Sequence, residues 1–319
     1  MLRTIRQFCI VAILTVVSVC GLAAPVQADS DSDKNIVMSL RPSEQEVELK
    51  PGQHFEGSVV VYNVGKVPFQ FEASAAPYQV KNNDYEQDFV SSSESTAMAN
   101  WISLPETNFT VKPNQSAEVK FTIDVPNDVP GGGQYAAIII RTDKGQQHQA
   151  GIDVIGQLAA LLYGHVEGTE LRLSGSVQEY DFPSLMFGDK FDIKSTIENT
   201  GNVDFRVTET LMIKDFFTNR EAMNPESINE SGYPIGTISA AVLPGTARDF
   251  TMSWKDAPQI GLFKVTHTIS YLDQDHVTEK IVLICPLWLI VLVGVLLLLM
   301  IGWLIMALIG YHKEKPQVL

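Results

Sequence analysis

The stretch Gly52-Gln53-His54-Phe55…Tyr62-Asn63-Val64-Gly65-Lys66-Val67-Pro68-Phe69 returns 136 residues later as Gly188-Asp189-Lys190-Phe191…Glu198-Asn199-Thr200-Gly201-Asn202-Val203-Asp204-Phe205. Phe55 to Tyr62 and Phe191 to Ile197 alternate toward apolar and β-branched residues, the pattern of half-buried strands. Asn-x-Gly then predicts a turn, because both residues tolerate positive φ. The Val and Phe that follow at period two start a partner strand. A second echo sets Pro113, Ser116, Ala117, Phe121 and Thr122 beside Pro244, Thr246, Ala247, Phe250 and Thr251. A third sets Gly133-Gln134-Tyr135 beside Gly261-Leu262-Phe263. Three echoes in one order predict two copies of one domain.

Strands continue outward from the repeat. Val119, Phe121, Ile123 and Val125 alternate up to Pro126, which ends the run. Tyr135 to Arg141 has the composition of a buried strand, and Gly151 to Val166 of the last strand of the first copy. Turn signals recur at short intervals without a long amphipathic helix. The prediction is all-β: two tandem immunoglobulin-like sandwiches, residues 29–166 and 167–280. Tyr135 and Phe263 fall where such a domain places an aromatic near the start of its next-to-last strand, and only Tyr135 can donate the hydrogen bond of a tyrosine corner. Two polar insertions, Tyr78 to Met98 and Asp215 to Tyr233, are expected as long loops, where function usually sits in a sandwich.

The two ends carry a different signal. Residues 1–28 have a basic start (Arg3, Arg6), an apolar run from Phe8 to Val19 and small residues at Val26-Gln27-Ala28, which predicts a secretory signal peptide. Val19 before Cys20 is a poor fit to the rival, a lipoprotein signal. Residues 281–310 hold no charge. As a helix they would run roughly 45 Å, against a bilayer core of roughly 30 Å, so they span with tilt or give their first residues to the preceding strand. Pro286 and Trp288 suit one interface, and Trp303 and Tyr311 the other. The expected arrangement is a single-pass cell-membrane protein, with its N-terminal ectodomain outside facing the wall and residues 311–319 as a cytoplasmic tail.

This layout partitions the charge. The chain carries 23 Lys and Arg against 37 Asp and Glu, and residues 29–280 alone reach a net −17. That balance argues against a nucleic-acid binder. Cys9 and Cys20 fall in the signal and Cys285 at the membrane, so no disulfide or cysteine-zinc site is expected in the ectodomain.

Chemistry-bearing motifs are sparse, and no catalytic residue, cofactor site or metal site is predicted. The six histidines show no His-Glu-x-x-His spacing, and there is no Gly-x-Ser-x-Gly elbow. Asp29 to Asp33 imitates the start of a calcium loop, but Lys34 and Leu40 stand where Gly and Glu are needed. Binding candidates remain. Gly131, Gly132 and Gly133, followed by Gln134 and Tyr135, suit a tight turn before the strand, and would also let a glycan or peptide approach the backbone. Trp101 suits sugar stacking or core packing. Tyr85 and Phe89 stand in a polar insertion without an evident core role. Phe216 and Phe217 suit a partner anchor or a cap on the sandwich end.

The segments Val111-Lys112-Pro113-Asn114-Gln115-Ser116, Ile123-Asp124-Val125-Pro126 and Pro130-Gly131-Gly132-Gly133-Gln134-Tyr135, with the Asn199-Thr200-Gly201-Asn202 turn and the signal-plus-anchor layout, resemble the WxL-interacting proteins of Gram-positive bacteria. That resemblance implies a scaffold without catalysis. Its first domain would bind peptidoglycan, its second host ligands such as extracellular-matrix proteins, and the whole would hold secreted WxL-domain proteins at the wall. The alternatives are a direct adhesin for host matrix, a membrane-tethered wall hydrolase, and a chaperone that caps partner strands through an unpaired edge.

Overall fold

The computed structural model describes residues 36–142, 148–149, 152–153, 155–187, 191–223, 236–254 and 257–313. The predicted signal peptide and most of the predicted tail lie outside the described residues. The N-terminal half contains β1 (Met38–Arg41), β2 (Glu44–Leu49), β3 (His54–Asn63), β4 (Phe69–Pro77), β5 (Gln79–Val80), β6 (Gln87–Asp88), a 3-10 helix (Glu94–Asn100), β7 (Ile102–Ser103), β8 (Asn108–Val111), β9 (Ser116–Asp124), β10 (Gly132–Thr142), β11 (His148–Gln149), β12 (Ile152–Asp153) and β13 (Gln157–Val166). The C-terminal half contains β14 (Gly175–Asp181), β15 (Leu185–Met186), β16 (Phe191–Asn199), β17 (Phe205–Asp215), β18 (Thr237–Val242), β19 (Ala247–Trp254), β20 (Gly261–Tyr271) and β21 (Gln274–Ile284), and then helix α1 (Leu287–Lys313).

The echo in sequence is an echo in topology. One sheet runs β1-β3-β9-β7 and its counterpart β14-β16-β19; the other runs β2-β13-β10-β4-β8 and its counterpart β15-β21-β20-β17-β18. Alternation along each strand turns one set of side chains inward. Val59, Val61, Phe121 and Ile123 meet Phe69, Phe71, Ile138 and Leu162 in the first core. Phe191, Ile193, Met252 and Trp254 meet Ile213, Phe263, Val265 and Val282 in the second.

The repeated Asn has a different physical reason from the predicted one. Neither Asn63 nor Asn199 has positive φ; the left-handed residues nearby are Asn114 and Gly245, in the facing loops. Both Asn side chains are buried hydrogen-bond hubs instead. Asn63 Nδ2 donates to Val67 O (2.8 Å) and Val111 O (3.1 Å), and its Oδ1 accepts from Gly65 N (3.0 Å). Asn199 repeats this with Val203 O (2.9 Å), Val242 O (2.8 Å) and Gly201 N (2.8 Å). Each amide ties a strand end to its turn and to the opposite sheet. Replacing Asn199 by Ala takes the amide donor from two buried carbonyls, Val203 O and Val242 O, while Gly201 N keeps Ser174 O (3.1 Å), and is expected to cost about 2–3 kcal/mol. Asn63→Ala should cost a similar amount, and denaturant titration of the two variants checks both.

The third echo is displaced by one residue. In the β10–β13 ladder Gly132 faces Val166, and in the β20–β21 ladder Gly261 faces Ile284. Gly132, not Gly133, is therefore the counterpart of Gly261. A one-residue slip exchanges the faces of a strand. Phe263 points into the second core, whereas Tyr135 points out of the first sandwich toward the other half.

The insertion Tyr78 to Met98 is not a free loop. It forms the β5–β6 pair and the 3-10 helix, and it buries Tyr78, Tyr85, Asp88, Thr96 and Met98. Part of the second insertion lies outside the described residues. Residues 281–284 belong to β21, and among the described residues the helical segment long and apolar enough to cross a membrane is Leu287–Met306.

Candidate functional site

Several sequence-selected residues meet where the two halves join. A shared apolar cluster there combines Tyr78, Tyr85, Tyr135, Ile139, Leu161 and Tyr163 from the first half with Phe205, Val207, Val242, Leu243 and Phe250 from the second. Tyr135 Oη donates to Asp204 Oδ1 (2.8 Å) and accepts the Asp204 backbone N–H (3.0 Å). The predicted tyrosine corner is thus a bond across the joint. Burial pushes the Tyr135 phenol up, so it stays a donor. Gly133 N donates to Asn202 O (2.8 Å). A Cβ on Gly131 would lie 2.7 Å from the Gly168 Cα, so the glycine run serves close backbone contact between the halves. Gln134 braces the 3-10 helix, its Nε2 donating to Glu94 O (3.0 Å).

Tyr85 holds the insertion to the second half. Its hydroxyl accepts from Leu243 N (2.7 Å) and lies 2.7 Å from Thr246 Oγ1, and the Arg248 guanidinium sits 4.2 Å from its ring centre. Phe89 stacks on Tyr78. Phe89 also lines a groove of about 410 Å³ with Lys81, Asp88, Val90, Arg141 and Gln157. Trp101 packs half-buried on the first core. Phe216 and Phe217 are exposed and set edge-to-face, away from the joint.

His165, not selected from the sequence, completes the joint. Its Nε2 lies 2.9 Å from Asp204 Oδ1 and its Nδ1 3.1 Å from Glu48 Oε1. The hydrogen bond to Asp204 leads in raising its pKa from an ordinary 6.5 to about 9. A raised folded pKa contributes stability that is complete below about 6.5 and is lost as pH climbs through about 9. Thermal unfolding should therefore show falling stability between those limits, and His165→Gln should flatten that part of the profile.

A second polar group lies inside the C-terminal sandwich. Ser195 Oγ donates to Glu209 Oε1, the other Glu209 oxygen lies 3.2 Å from His267 Nε2, and His267 Nδ1 lies 3.0 Å from Tyr180 Oη. Glu209 and His267 are fully buried. The residue types are those of a hydrolase triad but the order is not: the carboxylate stands between serine and histidine, so no imidazole faces the hydroxyl. The arrangement is a buried structural network.

The outer edge of β21 is open along most of its length. In the N-terminal half the equivalent strand β13 is covered by β2 over six residue pairs, Leu161 to Val166. In the C-terminal half β15 covers β21 only at Leu283 and Ile284. Leu283 N donates outward to Ser184 O (2.9 Å). Strand alternation turns the backbone N–H and C=O groups of Asp275, Val277 and Glu279 to that same side. Among the described residues, none of these groups has a backbone partner there. Val277 and Ile281 expose their side chains along this strand.

No protein-family profile matches the chain, and no curated protein matches it. Among solved structures it is similar to a chaperone–tip adhesin complex of CFA/I fimbriae (14% identity, 76% of this chain and 98% of that one, TM-score 0.38). It is similar also to the CsuC–CsuE chaperone–tip adhesion subunit complex of Acinetobacter baumannii (12% identity, 76% and 98%, TM-score 0.38). A third is the E. coli chaperone DraB (11% identity, 77% and 97%, TM-score 0.35). At these values the likeness concerns the β-sandwich fold alone. The expectation of a scaffold that binds WxL-domain proteins and peptidoglycan is corrected: no family profile or curated protein of that kind matches, and the three structures named above are of chaperones or chaperone complexes.

Proposed function

We propose that the chain is a membrane-anchored, non-catalytic binding protein. Two tandem immunoglobulin-like domains, residues 29–166 and 167–280, follow a cleaved signal peptide and are held at the membrane by α1. The binding site is the open edge of β21, which takes an extended segment of another polypeptide by strand addition. The observation that carries this reading is the contrast between the two halves, in which β13 is closed by β2 and β21 is left open above Leu283. Unpaired N–H and C=O groups on an edge are a template for another strand. Val277 and Ile281, four residues apart on one face of the strand, offer apolar contacts, which selects a segment with apolar residues at the same spacing. The net −17 of the ectodomain favours a basic segment, with affinity that falls as salt rises.

Val277→Pro tests the reading. The Val277 N–H points to the open side, so proline there leaves the ladder to β20 intact. Photocrosslinking from a benzoylphenylalanine at Ile281 should capture a polypeptide in cells, and Val277→Pro should abolish that capture without lowering the melting temperature. Capture that survives the proline would overturn the proposal.

A further inference from the structure

The C-terminal end of the second sandwich carries a concentrated apolar surface. Leu185, Phe187, Phe216, Phe217, Ile260 and Leu283 are all exposed, Phe217 to 80%. They come from four separate segments that the topology brings to one end. Leu185 pairs with Leu283, Leu283 with Leu262, and Gly261, next to Ile260, with Ile284. Phe216 N donates to Leu262 O (3.0 Å). The turn that presents Phe217 is built rather than slack. Asp215 Oδ1 accepts the Phe217 N–H (3.1 Å), the Thr218 N–H (2.7 Å) and the Thr218 hydroxyl (2.8 Å).

This same end leads into α1. Cys285 N is still bonded to Met186 O (3.0 Å), and Leu289 N is already bonded to Pro286 O (3.0 Å). The tether between sandwich and helix is therefore about two residues, at most roughly 7 Å of chain. Phe216 lies two strands from β21, about 10 Å sideways. A helix that crosses a bilayer would hold all six side chains at the headgroup level, where aromatic and aliphatic tips are stable. An exposed apolar patch beside a membrane helix has the lipid surface as its occupant.

We infer that the end of the C-terminal sandwich bearing Leu185, Phe187, Phe216, Phe217, Ile260 and Leu283 docks on the bilayer surface and fixes the ectodomain against the membrane. The inference rests on α1 being the membrane span. Benzoylphenylalanine placed singly at Phe217, Phe187, Trp288 and Val64 of the full chain, in phosphatidylcholine–phosphatidylglycerol vesicles with a clickable acyl chain, reads the two claims apart. Adducts to lipid are expected at 288, and at 217 and 187 in comparable yield, with none above background at 64. Lipid adducts at 288 without any at 217 and 187 would leave the span standing and overturn the docking. A protein adduct at 217 in place of lipid would assign the patch to a second copy and overturn it likewise. No lipid adduct at 288 would remove the span and the docking together.

Discussion

Glu209→Ala is expected to lower the unfolding free energy by about 3–5 kcal/mol. Glu209 is fully buried between the sheets, where it accepts from Ser195 Oγ and faces His267 Nε2 at 3.2 Å. Removing the carboxylate leaves a buried imidazole and a buried hydroxyl without their acceptor, and opens a cavity. Replacing both members by apolar residues removes the orphaned groups, so Glu209→Leu with His267→Leu should recover much of the loss. Urea titration of the three proteins checks both statements. A single variant as stable as the parent would show that the pair contributes nothing net.

The second large effect belongs to the joint. Asp204→Ala is expected to cost about 2–4 kcal/mol, because one carboxylate serves both halves. It accepts from Tyr135 Oη at 2.8 Å and faces His165 Nε2 at 2.9 Å. Without it a buried phenol and a protonated imidazole lose their partner. Tyr135→Phe removes the donor to Asp204 Oδ1 and the acceptor of the Asp204 N–H but leaves the His165 contact, so its cost should be smaller, about 1–2 kcal/mol. Spin labels placed one in each half should report a broader distance distribution in Asp204→Ala. Equal behaviour of the two variants would mean that the carboxylate does not hold the joint.

Much of the fold was legible before any coordinates. Period-two alternation located the strands containing Phe55, Phe121 and Phe191, a continuous apolar run located the one containing Ile138, and the Gly52 and Gly188 echo announced a repeated topology. The joint was not legible, because its residues are distant in sequence. Tyr135 and Asp204 stand 69 residues apart, and Tyr85 and Thr246 stand 161 apart. A signal for the buried network did exist. Glu209 interrupts Val207-x-Glu209-x-Leu211, and His267 interrupts Val265-x-His267-x-Ile269. A charged residue at an inward position of an alternating strand demands a partner, although the sequence cannot say which.

The Gly52 to Phe69 stretch and its echo at 188–205 therefore determined the strands and their faces, since these follow from local side-chain period. Tertiary structure decided what the repeat was for. It made the repeated Asn a buried hub rather than a left-handed turn residue, turned Tyr135 outward by a one-residue register shift, and drew the polar insertion into the joint. It also left β21 open where β13 is closed. Each of these depends on which strand edge or face meets which, and a local pattern of apolar residues carries no information about that pairing.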